Sequence, residues 1–405
     1  MTRARQWRLA LVHYTAPPVT GGVESVLGAH AQRLREAGHE VRVIAGRGDA
    51  DLVPEVDSRH PEIERLAGRL AAGDAAGDTF ASLRALLGGR LHALLADRDL
   101  VIAHNVLTMP FNLPLAAALR DLARPMVAWT HDLAWVNPRY AAYQRPGWPW
   151  SILSQPQPGV RYVAISRVRQ SEIVDVMGLA PADVPVVPNG VDPRTFWGLG
   201  WRTLELARRS RLEGAQPLIL VPVRITRRKR LELAIDAISM LHADHPQLKM
   251  VVSGPLGPHS GDNLAYAAEL REQRSRLGLN DVVIFLCDLA EPGQEHPLDD
   301  QGMAELYRMA DLVLLPSESE GFGLPVLEAA LCRAPLVCAD IPVLRELTRG
   351  HAWSFPAGGD AAAVAEAARS ALDSRAARLR RTAVQDYAWP SVMAQVQRVI
   401  EASCG

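Results

Sequence analysis

Short apolar runs alternate with amphipathic segments along this chain, and the alternation occurs in two separate series. The first series has apolar runs at residues 7–13 (WRLALVH), 40–45, 100–103, 126–129 and 162–165, and the second at 218–223 (LILVPV), 249–253, 282–286, 312–315 and 336–339. Continuous apolar runs are typical of strands buried on both faces, and helical segments between them indicate βαβ units with parallel pairing. The sequence therefore predicts an α/β protein with two Rossmann-like domains, each built on a parallel sheet.

Domain boundaries fall where the two series meet and where the second one ends. Residues 187–196 (VPNGVDPRTF) join the series and contain two prolines and a glycine, as a hinge or linker would. We therefore expect a first domain over 1–190, a second over 191–388, and a C-terminal helix within 389–405. Residues 138–158 hold five prolines together with tyrosines and tryptophans, which predicts an ordered aromatic loop in place of a helix or a central strand.

Composition argues against several classes of function. The chain has 44 Lys and Arg residues against 45 Asp and Glu, so no overall positive field favours nucleic acid, and we expect no nucleic-acid partner. No apolar run approaches the roughly 18 residues of a membrane-spanning helix, and the arginine-bearing N-terminus lacks the apolar region of a signal peptide. We expect a cytoplasmic protein, with peripheral contact to a membrane left open. The four cysteines form no C-x-x-C pair and are interpreted as reduced thiols.

A glycine-rich turn that leads into a helix is the most informative segment. Residues 316–330 (PSESEGFGLPVLEAA) follow an apolar run, and Gly321 and Gly323 form a tight loop before the helix. The free backbone N–H groups and the positive dipole end of such a helix suit a diphosphate. Glu320 and Glu328 flank the loop and can accept hydrogen bonds from hydroxyl groups, such as those of a sugar and a ribose on either side of the diphosphate.

A basic run follows the first strand of the second series. Residues 224–230 (RITRRKR) hold five basic residues in seven, at a strand end, where ligands bind in folds of this kind. Arg224 and Lys229 can neutralise a diphosphate there, Arg as a bidentate fork and Lys as a point charge. The other three arginines of the run are interpreted as solvated surface charges.

Two strand ends and a glycine turn of the first series carry further candidates. Gly21 and Gly22 stand at the start of a helix and let the backbone approach a ligand closely. His131 and Asp132 follow the apolar run MVAW, and the His-Asn pair at 104–105 occupies the equivalent position after LVIA. A plain turn and structurally buried histidines are the alternative interpretations.

No motif points to a metal. The two Asp-x-Asp triplets, at 49–51 and 97–99, are near what chance gives, and the second precedes a strand instead of ending one. We therefore expect no metal site and no bound cofactor. The cationic groups of the protein would then have to stabilise a leaving diphosphate.

Together these motifs resemble those of family 4 of the retaining glycosyltransferases. The similarity runs from about residue 8 to the C-terminus and rests on GGVE at 21–24, THD at 130–132, VPNGVD at 187–192, Arg224 with Lys229, and the Glu-x7-Glu pattern from Glu320 to Glu328. The resemblance implies the GT-B fold, in which two Rossmann-like domains face each other across a cleft and the final helix crosses back to the first domain. It also implies a UDP-, GDP- or ADP-sugar as donor and no need for a divalent metal.

The same resemblance implies roles for individual residues. Glu320 would contact the donor sugar, Glu328 the ribose and the two cations the diphosphate, with the glycine loop of the first domain closing over it. The predicted catalytic residues are His131, Glu320, Arg224 and Lys229. The predicted donor-binding residues are Gly21, Gly22, Arg224, Lys229, Gly321, Phe322, Gly323, Leu324 and Glu328. The predicted acceptor-side residues are His104, Asn105, Asp132 and Trp135.

Four positions depart from the family pattern. Val223 and Arg230 stand beside the diphosphate-binding cations where glycine is frequent, and Cys287 and Arg333 also replace frequent glycines. Each puts a side chain where relatives leave space near the donor. The sequence therefore does not predict which nucleobase or sugar is preferred.

The predicted function is metal-independent transfer of a hexose, with retention, from a nucleoside-diphosphate sugar to a carbohydrate, lipid-linked or small-molecule acceptor. One alternative is a different enzyme on the same fold, such as a nucleotide-sugar epimerase or hydrolase, although an epimerase would not need the aromatic loop at 138–158. Another is a non-catalytic protein that binds a nucleotide sugar. Such a protein would be expected to lose Glu320, His131 or Lys229, and all three are present.

Overall fold

The structure is a computed structural model, and it describes residues 5–122, 124–256, 261–290 and 297–404. The chain divides into two compact units. The first unit comprises Met1–Val191 and Tyr387–Gly405, and the second comprises Asp192–Asp386.

Parallel β-sheets form the centre of both units. Among the described residues, twelve strands make two six-stranded sheets, and all of the strand pairings are parallel. The first sheet contains β1 (Arg8–Val12), β2 (Glu40–Ala45), β3 (Asp51–Leu52), β4 (Leu100–His104), β5 (Met126–Thr130) and β6 (Val160–Ala164). The second contains β7 (Leu218–Val221), β8 (Lys249–Val252), β9 (Val283–Phe285), β10 (Leu312–Leu315), β11 (Leu336–Asp340) and β12 (Trp353–Pro356).

Helices connect and cover the strands. In the first unit these are α1 (Gly22–Glu36), α2 (Pro61–Ala71), α3 (Gly77–Leu95), α4 (Leu113–Asp121), α5 (Arg167–Met177) and α15 (Trp389–Cys404). In the second unit they are α6 (Pro193–Trp197), α7 (Trp201–Arg209), α8 (Leu231–Asp244), α9 (Gly261–Arg276), α10 (Asp300–Met309), α11 (Leu324–Leu331), α12 (Pro342–Thr348), α13 (Ala361–Leu372) and α14 (Arg375–Asp386).

The two sheets share one strand order. The first runs β3-β2-β1-β4-β5-β6, and the second runs β9-β8-β7-β10-β11-β12, so each is wound outward in both directions from its first strand. The winding reverses between β1 and β4 and again between β7 and β10. In open parallel sheets, ligands bind beyond the carboxyl ends of the strands at such a reversal point. The fold therefore marks one candidate edge in each unit.

The first sheet is buried on both faces. Alternate residues of a strand point to opposite faces, and along β1 Ala10 and Val12 pack with α3 and α4, whereas Leu9 and Leu11 pack with α1 and α15. Both faces are therefore apolar, which explains why the strands appear in the sequence as continuous hydrophobic runs.

Helix α15 belongs to the first unit although it follows the second in the chain. Its buried residues repeat at helical spacing and complete the face of the sheet that α1 also covers; they are Trp389, Val392, Val396, Val399 and Ile400. The entry of the helix is fixed by backbone bonds, because Val191 N–H donates to Tyr387 O over 2.8 Å and Trp389 N–H donates to Val191 O over 3.1 Å. Gly190 lies so close to the Trp389 ring that a Cβ there would come within 2.4 Å of it.

The second unit has one core, with α8 and α13 packed together on its sheet. Helix α8 is buried at seven positions, namely Leu231, Leu233, Ala234, Ile235, Ala237, Ile238 and Leu241. The strand series predicted from the sequence is present, with each strand end within two residues of the predicted one. The α/β prediction with two Rossmann-like parallel sheets is confirmed.

Two details differ from the sequence-based expectation. Residues 138–158, expected to be an irregular loop, contain the short 3-10 helices Pro138–Tyr143 and Trp150–Leu153. The edge strands β3 and β12 were not predicted. They are short and have few buried residues, so no apolar run marks them in the sequence. Within the described residues, no helix is long and apolar enough to cross a membrane.

Candidate functional site

Two loops meet at the reversal point of the second sheet. One follows β7 and carries the basic run, and the other follows β10 and carries the glycine-rich turn. Their backbones are joined, since Glu318 N–H donates to Arg228 O over 2.9 Å. The Arg228 guanidinium also donates to Ser319 O over 2.9 Å. The two motifs that are about 90 residues apart in the sequence are therefore neighbours in space.

A buried ion pair lies where these loops meet. Lys229 Nζ is 2.5 Å from Glu320 Oε1, and each side chain is only 8% exposed. The Ser317 hydroxyl donates to the same Glu320 oxygen over 2.6 Å, which adds a second hydrogen bond to the carboxylate. Burial lowers the pKa of Lys229, and the neighbouring carboxylate opposes that shift. The pair holds one cation and one hydrogen-bond acceptor side by side at the strand ends.

The short 3-10 turn Arg227–Lys229 points the side chains of the basic run in different directions. It turns Lys229 inward, while Arg227 points outward and pairs with Glu269 on the surface. Arg224 is exposed, and none of the carboxylates in the described residues forms an ion pair with it.

Arg228 was assigned to the surface from the sequence, and its side chain is indeed exposed, but it also contacts the site. Its guanidinium lies 3.9 Å from Glu320 Oε2 and bonds the backbone of the glycine-rich loop. Nothing in the run distinguishes Arg228 from Arg227 and Arg230, so this contact was not predicted.

Gly323 marks the change from loop to helix. Its φ of +91° lies in the left-handed region, where side chains are strained, and α11 begins at the next residue. No side chain caps α11. Pro325 has no N–H and Val326 N–H donates to Gly323 O over 2.9 Å, which leaves the Leu324 N–H at the helix start for an anion. Phe322 and Leu324 beside it are exposed, as is Glu328 within the first turns of the helix.

A tyrosine fixes the second carboxylate of the Glu-x7-Glu pattern. The buried Tyr307 hydroxyl donates to Glu328 Oε2 over 2.5 Å. Burial and the adjacent carboxylate raise the pKa of Tyr307, so the hydroxyl stays a donor at ordinary pH. No local pattern in the sequence points to Tyr307, because it lies 21 residues before Glu328, on α10.

Of the four departures from the family pattern, two adopt a glycine-like backbone. Arg230 has φ +50° and Arg333 has φ +54°. The Arg230 guanidinium donates to Ala357 O over 2.9 Å and to Gly359 O over 3.2 Å, so it ties the basic run to the loop after β12. The side chain that replaces glycine there has a structural contact of its own.

The reversal point of the first sheet lies between β1 and β4. The loop after β1 leads to the glycine pair at α1. A Cβ on Gly21 would fall 2.0 Å from the Glu24 carboxylate and would force Glu24 out of its position, whereas Gly22 is open. Glu24 folds back to accept a hydrogen bond from the Thr15 hydroxyl over 2.7 Å. The GGVE motif therefore places a carboxylate at the end of β1.

Asn105 organises the ends of β4 and β5. It has φ +53°, a conformation that asparagine tolerates better than most residues. Its side-chain oxygen accepts from His131 N–H over 3.1 Å and from Asp132 N–H over 2.9 Å. The 104–105 and 130–132 motifs are thus parts of one hydrogen-bonded arrangement.

Histidines cluster beneath this edge. His30, His104 and His131 are buried, and the His104 ring centroid lies 5.2 Å from that of His30 and 5.9 Å from that of His131. Burial lowers the pKa of His131 to about 4 and that of His30 to about 3, and it also holds the pKa of His104 well below its ordinary value. These rings are neutral at physiological pH.

A cavity of about 480 Å³ opens above the cluster at the strand ends. Gly22, Asn105 and Asp132 line it, as do His13 and Glu24. His104 and Trp135, predicted on the acceptor side, are not among its lining residues. The His104 ring is fully buried against Trp129, and Trp135 packs against the core below.

Comparisons with known proteins agree with this arrangement. The family model described as Glycosyltransferase Family 4 matches residues 20–195, and the one described as Glycosyl transferases group 1 matches residues 204–386. A D-inositol 3-phosphate glycosyltransferase of Kineococcus radiotolerans is 32% identical over 338 residues, which cover 80% of this chain and 74% of the relative. Its counterpart in Geodermatophilus obscurus is 30% identical, covering 88% of this chain and 78% of the relative.

A third relative carries a different name. The mannosylglucosylglycerate synthase of Thermotoga maritima is 25% identical over 383 residues, covering 87% of this chain and 85% of the relative. Two family models and relatives over most of the chain point to one assignment. The chain is a glycosyltransferase and belongs to glycosyltransferase family 4.

Proposed function

We propose that this glycosyltransferase transfers a hexosyl group, with retention and without a metal ion, from a nucleoside-diphosphate sugar to a hydroxyl of its acceptor. The observation that carries the proposal is the buried Lys229–Glu320 pair beside the uncapped start of α11. A cation and a helix start that keeps a free N–H suit a diphosphate, and a carboxylate next to them suits the hydroxyls of the attached sugar.

The chemistry follows from these groups. As the bond between the anomeric carbon and the diphosphate oxygen breaks, negative charge grows on the diphosphate. Lys229, Arg224 and the α11 N-terminus can stabilise that charge in place of a metal. The acceptor oxygen attacks from the side on which the diphosphate leaves, which retains configuration. The leaving diphosphate oxygen takes the acceptor proton.

The acceptor binds to the first unit. Its cavity at the β1–β4 reversal point presents Glu24, Asn105 and Asp132, all of which can accept hydrogen bonds from hydroxyls. The relatives from Kineococcus radiotolerans and Geodermatophilus obscurus bear the name of an enzyme acting on D-inositol 3-phosphate, which supports a small hydroxylated acceptor here. Carbohydrate and lipid-linked acceptors remain alternatives.

A donor screen tests the proposal first. Thermal shift and slow hydrolysis are measured against UDP-, GDP- and ADP-sugars in the presence of EDTA. We expect one nucleotide to raise Tm and its sugar to be released slowly to water. If no donor shifts Tm or is hydrolysed, the proposal fails in favour of a non-catalytic protein.

Variants in and around the basic run distinguish the contribution of the Lys229–Glu320 pair to transfer from a general effect of positive charge. Lys229→Ala and Glu320→Ala should each lower transfer by about 100-fold or more, the size expected when a group that stabilises transition-state charge is removed. Arg227→Ala, which removes a cation two residues away that pairs on the surface, is the matched control and should retain activity. Near-normal turnover by Lys229→Ala would contradict the diphosphate assignment.

A further inference from the structure

One side of the cavity in the first unit is lined by basic residues that have no part in the proposed binding of the donor. Arg47, Ser58 and Arg59 border it together with His13 and Glu24. Arg47 follows β2, whereas the other end of the cavity is formed by loops after β4 and β5. The strand order β2-β1-β4-β5 therefore places the arginines at one side and Asp132 at the other, with three strand spacings, or about 14 Å, between β2 and β5.

Arg47 is held in place by its backbone. Ala16 N–H donates to Arg47 O over 2.8 Å. The two flanking residues are glycines that allow close approach, since a Cβ on Gly46 would lie 2.1 Å from Asp57 N and one on Gly48 would lie 2.2 Å from Ala16 O. Gly48 also has φ +109°, so a side chain there would be strained. The loop that presents the arginine is therefore tightly defined.

Asp57 links both arginines. Its Oδ1 accepts from Arg59 N–H over 2.9 Å, and its Oδ2 lies 3.4 Å from Arg47 Nε. The carboxylate thus pairs with the Arg47 guanidinium and holds the backbone of Arg59. The Arg59 guanidinium is exposed, and no carboxylate within the described ranges forms an ion pair with it. This side of the cavity keeps an excess of positive charge that solvent or a ligand can reach.

The centre of the cavity has the opposite character. His13 Nδ1 lies 2.7 Å from His104 O, and because a carbonyl can only accept, Nδ1 carries a proton. Burial lowers the pKa of His13, which favours the neutral ring with its lone pair on Nε2. That Nε2 lies 3.8 Å from Glu24 Oε1. A lone pair beside a carboxylate accepts hydrogen bonds from hydroxyls and repels phosphate. A ligand complementary to the whole cavity carries hydroxyls at one end and an anion at the other.

We propose that this cavity binds a small polyhydroxylated phosphate ester as the acceptor, with Arg47 and Arg59 holding its phosphate. The inference rests on the proposed function, because it assigns the acceptor of the same reaction. A guanidinium pairs with phosphate oxygens through two parallel hydrogen bonds, which lysine cannot reproduce. The cavity volume is within the range of small-molecule sites.

Binding of inorganic phosphate tests the anion end without knowledge of the ester. Equilibrium dialysis with labelled phosphate is run on the full chain and on three variants, namely Arg47→Gln/Arg59→Gln, Arg224→Gln/Lys229→Ala and Arg65→Gln. Arg65 lies on α2 outside the cavity lining and is the control for the loss of a nearby surface charge. We expect two classes of phosphate site in the wild type, one weakened about tenfold or more by the first variant and the other by the second.

The outcomes separate this inference from the proposed function. Unchanged phosphate binding in Arg47→Gln/Arg59→Gln, or binding lost only in Arg224→Gln/Lys229→Ala, overturns the acceptor inference and leaves the donor proposal standing. If phosphate binding is lost only in Arg47→Gln/Arg59→Gln, the anion site of the first unit stands and the assignment of the diphosphate to Arg224 and Lys229 is overturned. If Arg65→Gln weakens phosphate binding as much as the arginine double variant does, the effect comes from the overall charge of the unit, and the inference is also overturned.

Competition then identifies the source of the phosphate group. On the Arg224→Gln/Lys229→Ala protein, glycerol 3-phosphate and glucose 6-phosphate should displace labelled phosphate at lower concentration than unlabelled phosphate does. Glycerol and glucose should not displace it, and vesicles of phosphatidylcholine with phosphatidic acid should not either. Displacement by the vesicles alone would overturn the assignment to a soluble ester. If the esters displace labelled phosphate only at the same concentration as unlabelled phosphate, the proposed binding of hydroxyls at the other end of the cavity is overturned.

Discussion

Tyr307→Phe removes one hydroxyl and leaves the packing of α10 unchanged. The lost hydrogen bond joins that hydroxyl to Glu328 Oε2 over 2.5 Å. Bonds to a charged acceptor contribute about 1.5–3 kcal/mol. Glu328 is exposed, so water can replace part of the interaction, and the lower figure applies. If Glu328 binds the ribose of the donor, freeing its carboxylate should weaken nucleotide binding about tenfold.

Titration calorimetry with the nucleoside diphosphate from the donor screen measures this effect. It is run on the wild type, on Tyr307→Phe, on Glu328→Gln and on the double variant. Because Tyr307 is expected to act only through Glu328, the double variant should bind like Glu328→Gln alone. A 2′,3′-dideoxy nucleotide, which has no hydroxyl for Glu328, should bind equally to the wild type and to Tyr307→Phe.

Tyr143→Phe is the control for the substitution itself. Its hydroxyl donates to a backbone carbonyl, Ala67 O, over 3.1 Å in the first unit, and its loss should leave nucleotide affinity unchanged. The reasoning is refuted if Tyr307→Phe binds nucleotide as tightly as the wild type, or if it weakens the dideoxy compound by the same factor.

Three further predictions concern protons, metal and backbone strain. The folded first unit keeps His30 and His131 neutral, while the unfolded chain takes up their protons near pH 6.5. The free energy of unfolding should therefore fall by about 2 kcal/mol per ring from pH 6.5 to pH 5, and equal urea midpoints at pH 7 and pH 5 would contradict neutral burial. Transfer should persist in EDTA; complete loss that manganese restores would show a metal requirement. Arg230→Gly relieves a φ of +50° but loses two bonds to backbone carbonyls, and the net result should be a loss of stability of about 1 kcal/mol. Arg349→Gly relieves a φ of +49° at the end of α12 and should raise stability by about 0.5–1 kcal/mol in denaturant melts.

Much of the fold could be predicted because parallel strands are buried on both faces. The run at 312–315 has no polar residue, and its bounds match β10. Asp51–Leu52 could not be predicted, because both residues of that edge strand are exposed and periodicity carries no signal over two positions. Short apolar strands flanked by glycine turns also located both candidate ligand edges.

The site could be predicted only in part. Glycines and carboxylates at strand ends are visible in the sequence, since their spacing is local. The inward turn of Lys229 and the contact of Arg228 with the neighbouring loop depend on a 3-10 turn that the sequence RRK does not specify. Tyr307 and Arg47 act through contacts with residues on other elements, and no local pattern reports such contacts.

The position of α15 has a consequence for how the protein is made. The face of the first sheet that packs against α1 stays open until α15 covers it with Val392, Val396 and Ile400. These residues leave the ribosome only after the whole second unit, although domains usually fold in the order of their synthesis. The second unit can therefore complete its core first, while the first unit waits with apolar surface exposed. We expect the earlier-synthesised unit to be the later one to reach its native state and to be the part of the nascent chain that chaperones protect.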